Sequence, residues 1–205
     1  PRPTGRLALV VRKLAERSGD LDAGIAAIPD DDRHRPEVGS VMATRLAAAG
    51  RVEEARAGLE AARPPPPPPS RGGPKAEPAP PPPEQWLEAE IAVLDAEGRD
   101  EEADQARWIL FERTLSPDAL RAIIARLPDF EDVPALDRAF AHAAAYFDPV
   151  KGLAFLMTWP ALREAAEMIE ARGGELRGVH EDIALWASRL SARYPAGGLI
   201  LLRAR

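Results

Sequence analysis

The sequence has no cysteine, few aromatic residues and no long apolar run. Without cysteine, disulfide bonds and thiolate metal ligands are excluded. Aromatic residues make up 5% of the 205 residues, and the longest uncharged apolar run, at 152–162, is far shorter than the roughly 20 residues that cross a bilayer. We therefore predict a protein that spans no membrane and folds without disulfide staples.

Positive charge is also scarce. The chain has 27 Lys and Arg against 33 Asp and Glu, which gives a net charge of -6. A surface that binds nucleic acid needs clustered Lys and Arg in excess, so nucleic acid is not an expected partner. Arginine far outnumbers lysine, and alanine and proline are abundant, a composition typical of GC-rich bacterial genomes. We expect a location in the bacterial cytoplasm.

The two ends of the sequence predict a piece of a longer protein. The chain begins at Pro1 without an initiator methionine, and it ends inside an apolar pattern without a capping residue. One hypothesis is therefore a structural or regulatory arm of a larger protein, whose enzymatic or nucleic-acid-binding part lies outside this chain.

Apolar residues recur at helical spacing along most of the chain, and no stretch alternates apolar and polar residues over a strand's length. The sequence therefore predicts an all-α fold. The predicted core stripes are Leu7, Val10, Val11 and Leu14; Val38, Val41, Met42 and Leu46; Leu87, Ile91 and Leu94; Leu120, Ile123, Ile124 and Leu127; Val133, Leu136, Phe140 and Phe147; and Ile183, Trp186 and Leu190. A core or repeat-interface role, in preference to stacking on a ligand, is predicted for the tryptophans Trp86, Trp108, Trp159 and Trp186.

Prolines mark where several of these helices begin or break. The segment 116–118, Ser-Pro-Asp, combines a hydroxyl N-cap, a proline at the first helical position and an acid in the first turn. Asp148, Trp159 and Tyr194 each precede a proline, which pushes their backbone out of the helical region. The pattern predicts short helices of about 8 to 16 residues.

Two segments share the pattern Leu-x-Ala-x-Gly-Arg-x-Glu-Glu-Ala. They are LAAAGRVEEARAGLEAA at 46–62 and LDAEGRDEEADQARWIL at 94–110, and a weaker copy lies around Gly19. The glycine is placed to end one helix in a left-handed cap, and the glutamates fall in the first turn of the next helix, where its dipole favours them. The sequence therefore predicts a helix hairpin that occurs twice.

More than half of the 22 prolines lie in the segment 64–83. The interval from Gly50 to Gly98 exceeds that from Gly19 to Gly50 by about the length of this segment, which places it between two hairpins. We interpret it as a flexible loop inserted into a single helical-repeat domain covering 1–205, because lengthening a loop from about 4 to about 21 residues costs only roughly 1.4 kcal/mol. A spacer between independent domains and a polyproline ligand for an aromatic groove stay open.

The phase of the repeated residues resembles the tetratricopeptide repeat over about residues 6–115. The small-large-small set that packs the second helix of that repeat falls on Ala55, Leu59 and Ala62 in one copy and on Ala103, Arg107 and Leu110 in the other. Arg107 departs from the pattern, because a large apolar residue is usual there, and Ile91 stands where a small one is preferred. The segments 106–133 and 159–169 also resemble a bacterial family of uncharacterised helical proteins.

The tetratricopeptide resemblance implies stacked antiparallel hairpins, an α-solenoid, whose first helices form a concave face that binds peptides or helices. It implies a non-enzymatic interaction scaffold with a protein or peptide partner of open identity. By repeat phase, the side chains expected on that face are Lys13, Arg17, Glu37, Ser40, Thr44, Gln85, Glu88 and Asp95.

No cofactor, metal or nucleophilic site is predicted from the remaining residues. The histidines are His34, His142 and His180, and the HEDIA motif at His180 lacks the second histidine of a zinc-protease helix. The acidic run 30–35 lacks the alternating spacing and glycine of a calcium loop, which favours a solvated loop. Neither a cysteine nor a Gly-x-Ser-x-Gly elbow supplies a nucleophile.

One enzymatic hypothesis stays open. It requires a pocket that gathers acids such as Glu112, Asp129 and Glu131, with perturbed carboxyl groups in a concave site.

Overall fold

A computed structural model describes residues 20–64, 82–176 and 182–204. Within these residues the chain forms twelve α-helices and one short 3₁₀ helix and contains no strand, so the predicted all-α fold is confirmed. The chain divides between Arg107 and Trp108 into two compact units, which we name the N-unit and the C-unit. The predicted stripe from Leu7 to Leu14 lies outside the described residues.

The N-unit contains two helix hairpins that follow two short helices. In chain order its helices are α1 (Leu21–Ala26), α2 (Asp30–Arg33), α3 (Pro36–Ala48), α4 (Val52–Ala61), α5 (Glu84–Glu97) and the first part of α6 (Asp100–Thr114). The division between the units falls inside α6. The acids of the run 30–35, predicted to lie in a loop, occupy the first turn of α2 instead, with Pro29 at its N-cap.

The two repeated turns have the same backbone structure, as predicted. Gly50 and Gly98 both adopt the left-handed conformation, with φ of 75° and 72°. In each turn the amide of the following arginine donates to the carbonyl oxygen of the leucine four residues before the glycine, at 2.9 Å for Arg51 and 3.0 Å for Arg99. This bond satisfies a carbonyl that the end of a helix would otherwise leave open.

The helices before and after the proline-rich segment pack together. Helix α5 contacts both α3 and α4, and α3 also packs against α4. The indole N–H of Trp86, at the start of α5, donates to the carbonyl oxygen of Leu59 at 3.3 Å. Trp86 is only 2% exposed, so the tryptophan predicted for the core is buried against α4. Residues 65–81 of the proline segment lie outside the described residues.

Small residues allow α3 and α4 to approach closely. A Cβ atom at Gly39 would stand 2.1 Å from the Cβ of Ala62, so no larger residue fits there without a shift. Fully buried residues of the N-unit include Ala43, Ala55, Leu59, Ala62, Ala89, Val93 and Ala103. The predicted small-large-small positions of both copies are therefore interior positions.

The C-unit is built from six helices that follow α6. They are α7 (Pro117–Ile124), α8 (Asp132–Ala144), α9 (Pro149–Thr158), α10 (Leu162–Arg172), α11 (Ile183–Ser191) and α12 (Pro195–Ala204), with a 3₁₀ turn at Gly173–Glu175. Helices α8, α9 and α10 pack against one another, and α12 packs against α10 and α11. The core contains Phe111, Leu120, Leu153, Leu156, Ile169, Leu190 and Leu201, each fully buried.

The predicted helix starts of the C-unit are largely confirmed. The Ser116 hydroxyl accepts from the Ala119 amide at 3.4 Å, and Asp148 accepts from the amides of Val150 and Lys151 at 3.0 and 3.1 Å. The predicted core stripe that includes Phe140 is wrong for its first and last residues, since Val133 is 60% and Phe147 is 84% exposed. Phe147 follows the end of α8 at Ala144, so helical spacing no longer applies to it.

Candidate functional site

The candidate partner surface of the N-unit lies on the exposed sides of α3 and α5. Four of the predicted side chains are exposed there, namely Glu37, Thr44, Gln85 and Glu88. Glu37 and Thr44 stand seven residues apart on α3, and Gln85 and Glu88 stand three apart on α5, which places each pair on one side of its helix. Since α3 and α5 pack against each other, the two residue pairs lie on neighbouring helices. We call these four residues the α3–α5 surface.

The other four predicted residues are placed differently. Ser40 is 2% exposed, and its hydroxyl donates to the carbonyl oxygen of Pro36 at 2.5 Å. Asp95 is only partly exposed, because its carboxylate forms an ion pair with Arg107. Lys13 and Arg17 lie outside the described residues. The α3–α5 surface therefore includes neither Ser40 nor Asp95.

Val41 is an exposed apolar residue that the sequence pattern assigned to the core. It is 49% exposed and follows Glu37 by four residues and precedes Thr44 by three, so it lies on the same side of α3. The sequence could have indicated this position of Val41, because a residue four positions after the exposed Glu37 lies on the same side of a helix. The surface thus combines two carboxylates, a hydroxyl and an amide with an apolar side chain that a partner can bury.

Each repeated turn carries the same ion pair at the start of its second helix. Two nitrogens of Arg51 donate to Glu54 at 2.8 and 2.6 Å, and two nitrogens of Arg99 donate to Glu102 at 2.7 and 2.5 Å. These hydrogen bonds lower the pKa of the Glu54 and Glu102 carboxyl groups. Arg51 also pairs with Asp22 near the start of α1. The shared Gly-Arg-x-Glu-Glu pattern is therefore explained by local structure and not by chemistry on a ligand.

A second set of ion pairs joins the helices on either side of the proline segment. The guanidinium of Arg56 on α4 donates to both carboxylate oxygens of Glu97 on α5, at 2.7 and 2.6 Å. This bond lowers the pKa of Glu97, which also accepts from Arg99 at 3.0 Å. At the other end of α4, the Arg63 guanidinium lies 5.2 Å from the centre of the Trp86 ring.

Glu90, also on α5, has a raised pKa, whereas the pKa of Glu97 is lowered. Burial raises the pKa of Glu90, although the positive charges of Arg63 and Arg56 act against the rise. Its side chain is half-buried on α5. Glu90 is therefore a destabilised charge at neutral pH rather than a member of an acid pair.

Arg107 explains the departure of the second repeat from its apolar pattern. The side chain is 7% exposed, yet it forms ion pairs with Asp95 on α5 and with Asp104 one turn earlier on α6. A buried guanidinium is tolerated because carboxylates compensate its charge. This finding assigns Asp95 a structural contact inside the N-unit.

The C-unit contains a groove of about 530 Å³ between α8 and α10. Its apolar lining consists of Phe140, Ala141, Ala144, Ala145, Met168 and Ala171. Most of these side chains are small, which lets another backbone approach the groove lining closely. Sequence reasoning did not find the groove, because α8 and α10 are separated by α9 and no shared motif links them.

The rim of this groove carries three acidic and two basic side chains. The rim residues are Asp137, Arg163, Glu164, Glu167 and Arg172. Arg163 hydrogen-bonds Glu164 at 2.8 Å, which raises the pKa of its guanidinium, and the nearby charges of Glu167 and Asp137 raise it further. Arg172 donates to the carbonyl oxygens of Ala144 and Tyr146, both at 2.8 Å, and so caps the end of α8.

A family model matches residues 2–205. The chain belongs to DUF6880, a family of unknown function. The match identifies no tetratricopeptide or other repeat family. No curated protein and no solved structure matches the chain.

The three acids of the enzymatic hypothesis have different surroundings in this DUF6880 chain. Glu112 forms an ion pair with Arg138 at 2.6 Å, whereas Asp129 and Glu131 are exposed between α7 and α8. None of them lines the groove between α8 and α10. In the ranges that the structure describes, no group of three or more His, Asp and Glu side chains is placed to hold a metal ion.

The histidines occupy separate environments. The Nε2–H of His142 donates to the carbonyl oxygen of Glu112 at 2.8 Å, with the Phe111 and Tyr146 rings on either side. His34 is exposed at the end of α2, and His180 lies outside the described residues.

Within residues 20–64, 82–176 and 182–204, no helix has the length and apolar character needed to cross a bilayer.

Proposed function

We propose that this protein is a non-enzymatic protein–protein interaction scaffold that binds a protein or peptide partner on the α3–α5 surface. The observation that carries the proposal is the side-by-side packing of α3 and α5, the first helices of the two repeated hairpins, with their outer side chains exposed. Packed helices hold these side chains at fixed spacing, which lowers the entropic cost of binding.

Within the N-unit, we propose that the hairpins stack in the manner of tetratricopeptide repeats. In support, both turns share a left-handed glycine and the same arginine–glutamate pair, and both copies bury the alanine of the shared pattern, Ala55 or Ala103. In stacked arrays of this kind, the first helices form the binding face. The proposed location of this DUF6880 chain is the bacterial cytoplasm.

The partner proposed for this surface is a peptide or helix with an apolar side chain and several donors. Val41 offers the apolar contact at 49% exposure, and the carboxylates of Glu37 and Glu88 accept hydrogen bonds or pair with basic groups. Thr44 and Gln85 add neutral polar contacts that fix the register of an extended or helical ligand.

The double variant Thr44→Ala/Glu88→Ala tests this proposal. A partner is first recovered with the wild-type full-length protein by affinity purification, and its dissociation constant is then measured for each variant. We expect binding to weaken by about tenfold or more, since truncating the few residues that dominate the centre of an interface costs about 2 kcal/mol or more.

The matched control is Thr158→Ala/Glu170→Ala, which removes the same two side-chain types from exposed positions of the C-unit. It should leave the dissociation constant within about twofold of wild type. Unchanged binding in the Thr44→Ala/Glu88→Ala variant would contradict the proposed surface.

A further inference from the structure

We propose that the groove between α8 and α10 binds the leucine-bearing face of α12 from a second copy of this chain. This association goes beyond the proposed function, and it uses residues of the C-unit only. Its experiments are therefore independent of the variants that test the α3–α5 surface.

The groove selects an apolar element with basic neighbours. Phe140 supplies an aromatic contact to the groove and Met168 a flexible one. The alanines between them leave room for a branched side chain. At the rim, Glu164 is paired with Arg163, whereas Asp137 and Glu167 are exposed carboxylates. The charge of Arg172 is taken up by two carbonyl oxygens and by Glu175.

Helix α12 carries the matching apolar residues. Leu199 is 55% and Leu202 is 49% exposed, and their spacing of three residues places them on one side of the helix. Leucines this exposed on neighbouring turns form an apolar face that water solvates poorly. The face is therefore suited to fill a groove lined by alanine, phenylalanine and methionine.

The charge beside the α12 face is opposite to that of the exposed acids in the groove lining. Arg203 is the only charged residue of α12, and it lies in the last turn, directly after Leu202. An apolar face with Arg203 beside it thus meets an apolar groove with the exposed carboxylates of Asp137 and Glu167, and opposite charges favour this pairing over others.

The geometry requires the leucines to come from another copy. In its own copy, α12 is held against α10 by the contact of Gly197 with Ala166. Gly198 packs against Ala187 of α11, and Ile200 packs against Gly173. Leu199 and Leu202 remain on the outer side of α12 and cannot reach the groove of their own copy unless these contacts break.

The groove and the α12 face are different surfaces, so the association is heterologous. A heterologous contact joins copies head to tail and produces rings or open chains rather than a two-fold dimer. The weight-average mass should therefore rise with protein concentration beyond that of a dimer, or level off at a closed ring.

Sedimentation velocity of the full chain over about 5 to 500 µM tests the proposal. The face variant Leu199→Glu/Leu202→Glu and the groove variant Ala141→Glu/Ala145→Glu should each weaken association by about tenfold or more, because both bury an unpaired carboxylate. All four positions are exposed, so folding is not expected to suffer. A second groove variant, Asp137→Asn/Glu167→Gln, keeps the shape and should weaken association and reduce its salt dependence.

An equimolar mixture of the face and groove variants gives the sharpest result. One variant retains an intact groove and the other an intact α12 face, so the mixture should form a heterodimer and no larger species. The control Ile109→Glu/Val133→Glu, at exposed apolar positions elsewhere in the C-unit, should associate like wild type. The proposal is overturned if wild type stays monomeric throughout, if either variant associates normally, or if the mixture stays monomeric.

Discussion

Arg56 and Glu97 join the helices that precede and follow the proline-rich segment through a two-pronged ion pair. Both donor–acceptor distances are short, at 2.7 and 2.6 Å, and the side chains are only 22% and 16% exposed. Ion pairs shielded from water in this way contribute more than exposed ones. The contact therefore joins α4 to α5, the helices that precede and follow residues 65–81.

The first prediction concerns this pair. Arg56→Met and Glu97→Gln should each lower the free energy of unfolding by about 1 to 3 kcal/mol, because each leaves a partly buried charge without its main partner. The double variant should lose less than the two single losses added together, with a coupling of about 1 to 2 kcal/mol. Urea denaturation followed by tryptophan fluorescence measures all three.

The matched control is the more exposed pair Arg35 and Asp32 of the N-unit, whose side chains are 65% and 46% exposed. Arg35→Met with Asp32→Asn should show a coupling below about 0.5 kcal/mol. If the two pairs have equal coupling energies, the Arg56–Glu97 ion pair joins α4 to α5 no more strongly than an exposed pair would.

The second prediction is a pH dependence from Glu90. Because burial raises its folded-state pKa above the ordinary value of 4.5, the ionised group costs stability above the folded pKa, and this cost disappears as the pH falls below 4.5. Glu90→Gln should therefore be more stable than wild type at pH 7, by less than about 1 kcal/mol since the side chain is half exposed, and equal to it near pH 4.

The Glu97→Gln variant should show the opposite trend. The folded-state pKa of Glu97 is lowered, so its contribution is fully present above 4.5 and is lost as the pH falls through the folded value. Thermal unfolding at pH 4 and pH 7 compares the two variants. A Glu90→Gln variant less stable than wild type at pH 7 would show that the arginines nearby outweigh burial.

The third prediction concerns the repeated turns. Gly98→Ala should destabilise the N-unit by about 1 kcal/mol or slightly more, because its φ of 72° is unfavourable for a residue with a Cβ atom. Gly58→Ala is the control, since Gly58 is helical and an added Cβ meets nothing within 4 Å. It should stabilise the protein by about 0.5 to 1 kcal/mol. Equal effects of the two substitutions would count against the shared left-handed turn.

The fourth prediction concerns the crossing of α8 and α9. A Cβ atom at Gly152 would stand 2.2 Å from the carbonyl oxygen of Ala143, so Gly152→Ala must push the helices apart. We expect a loss of about 2 kcal/mol or more, as in other overpacked interiors. Gly174→Ala, where nothing lies within 4 Å, should have little effect on the thermal midpoint. A fully stable Gly152→Ala variant would refute this close crossing.

Local features of the fold were predictable because a few neighbouring residues determine them. The hydroxyl of Ser116 caps α7, and Gly98 ends α5, because a cap needs only nearby backbone groups. The core of α11 was equally accessible, since Ile183, Trp186 and Leu190 follow helical spacing and are all buried.

Helix α3 shows where sequence patterns stop being informative. Hydrophobicity assigns Val41 to the core and Ser40 to the surface, yet Val41 is 49% and Ser40 only 2% exposed. The packed side of α3 includes small residues, such as Gly39 against Ala62, and where helices approach this closely, side-chain size matters as well as hydrophobicity. The buried ion pairs of Arg107 and the groove beside α10 likewise depend on tertiary contacts, which no local pattern encodes.

Hydrogen–deuterium exchange of the protein with and without its affinity-purified partner tests the central claim most directly. The account predicts that binding slows amide exchange in 36–48 and 84–97, the helices that carry Val41, Thr44 and Glu88, and that the Thr44→Ala/Glu88→Ala variant loses this protection. Protection confined to other helices, with exchange in α3 and α5 unchanged by the bound partner, would contradict it.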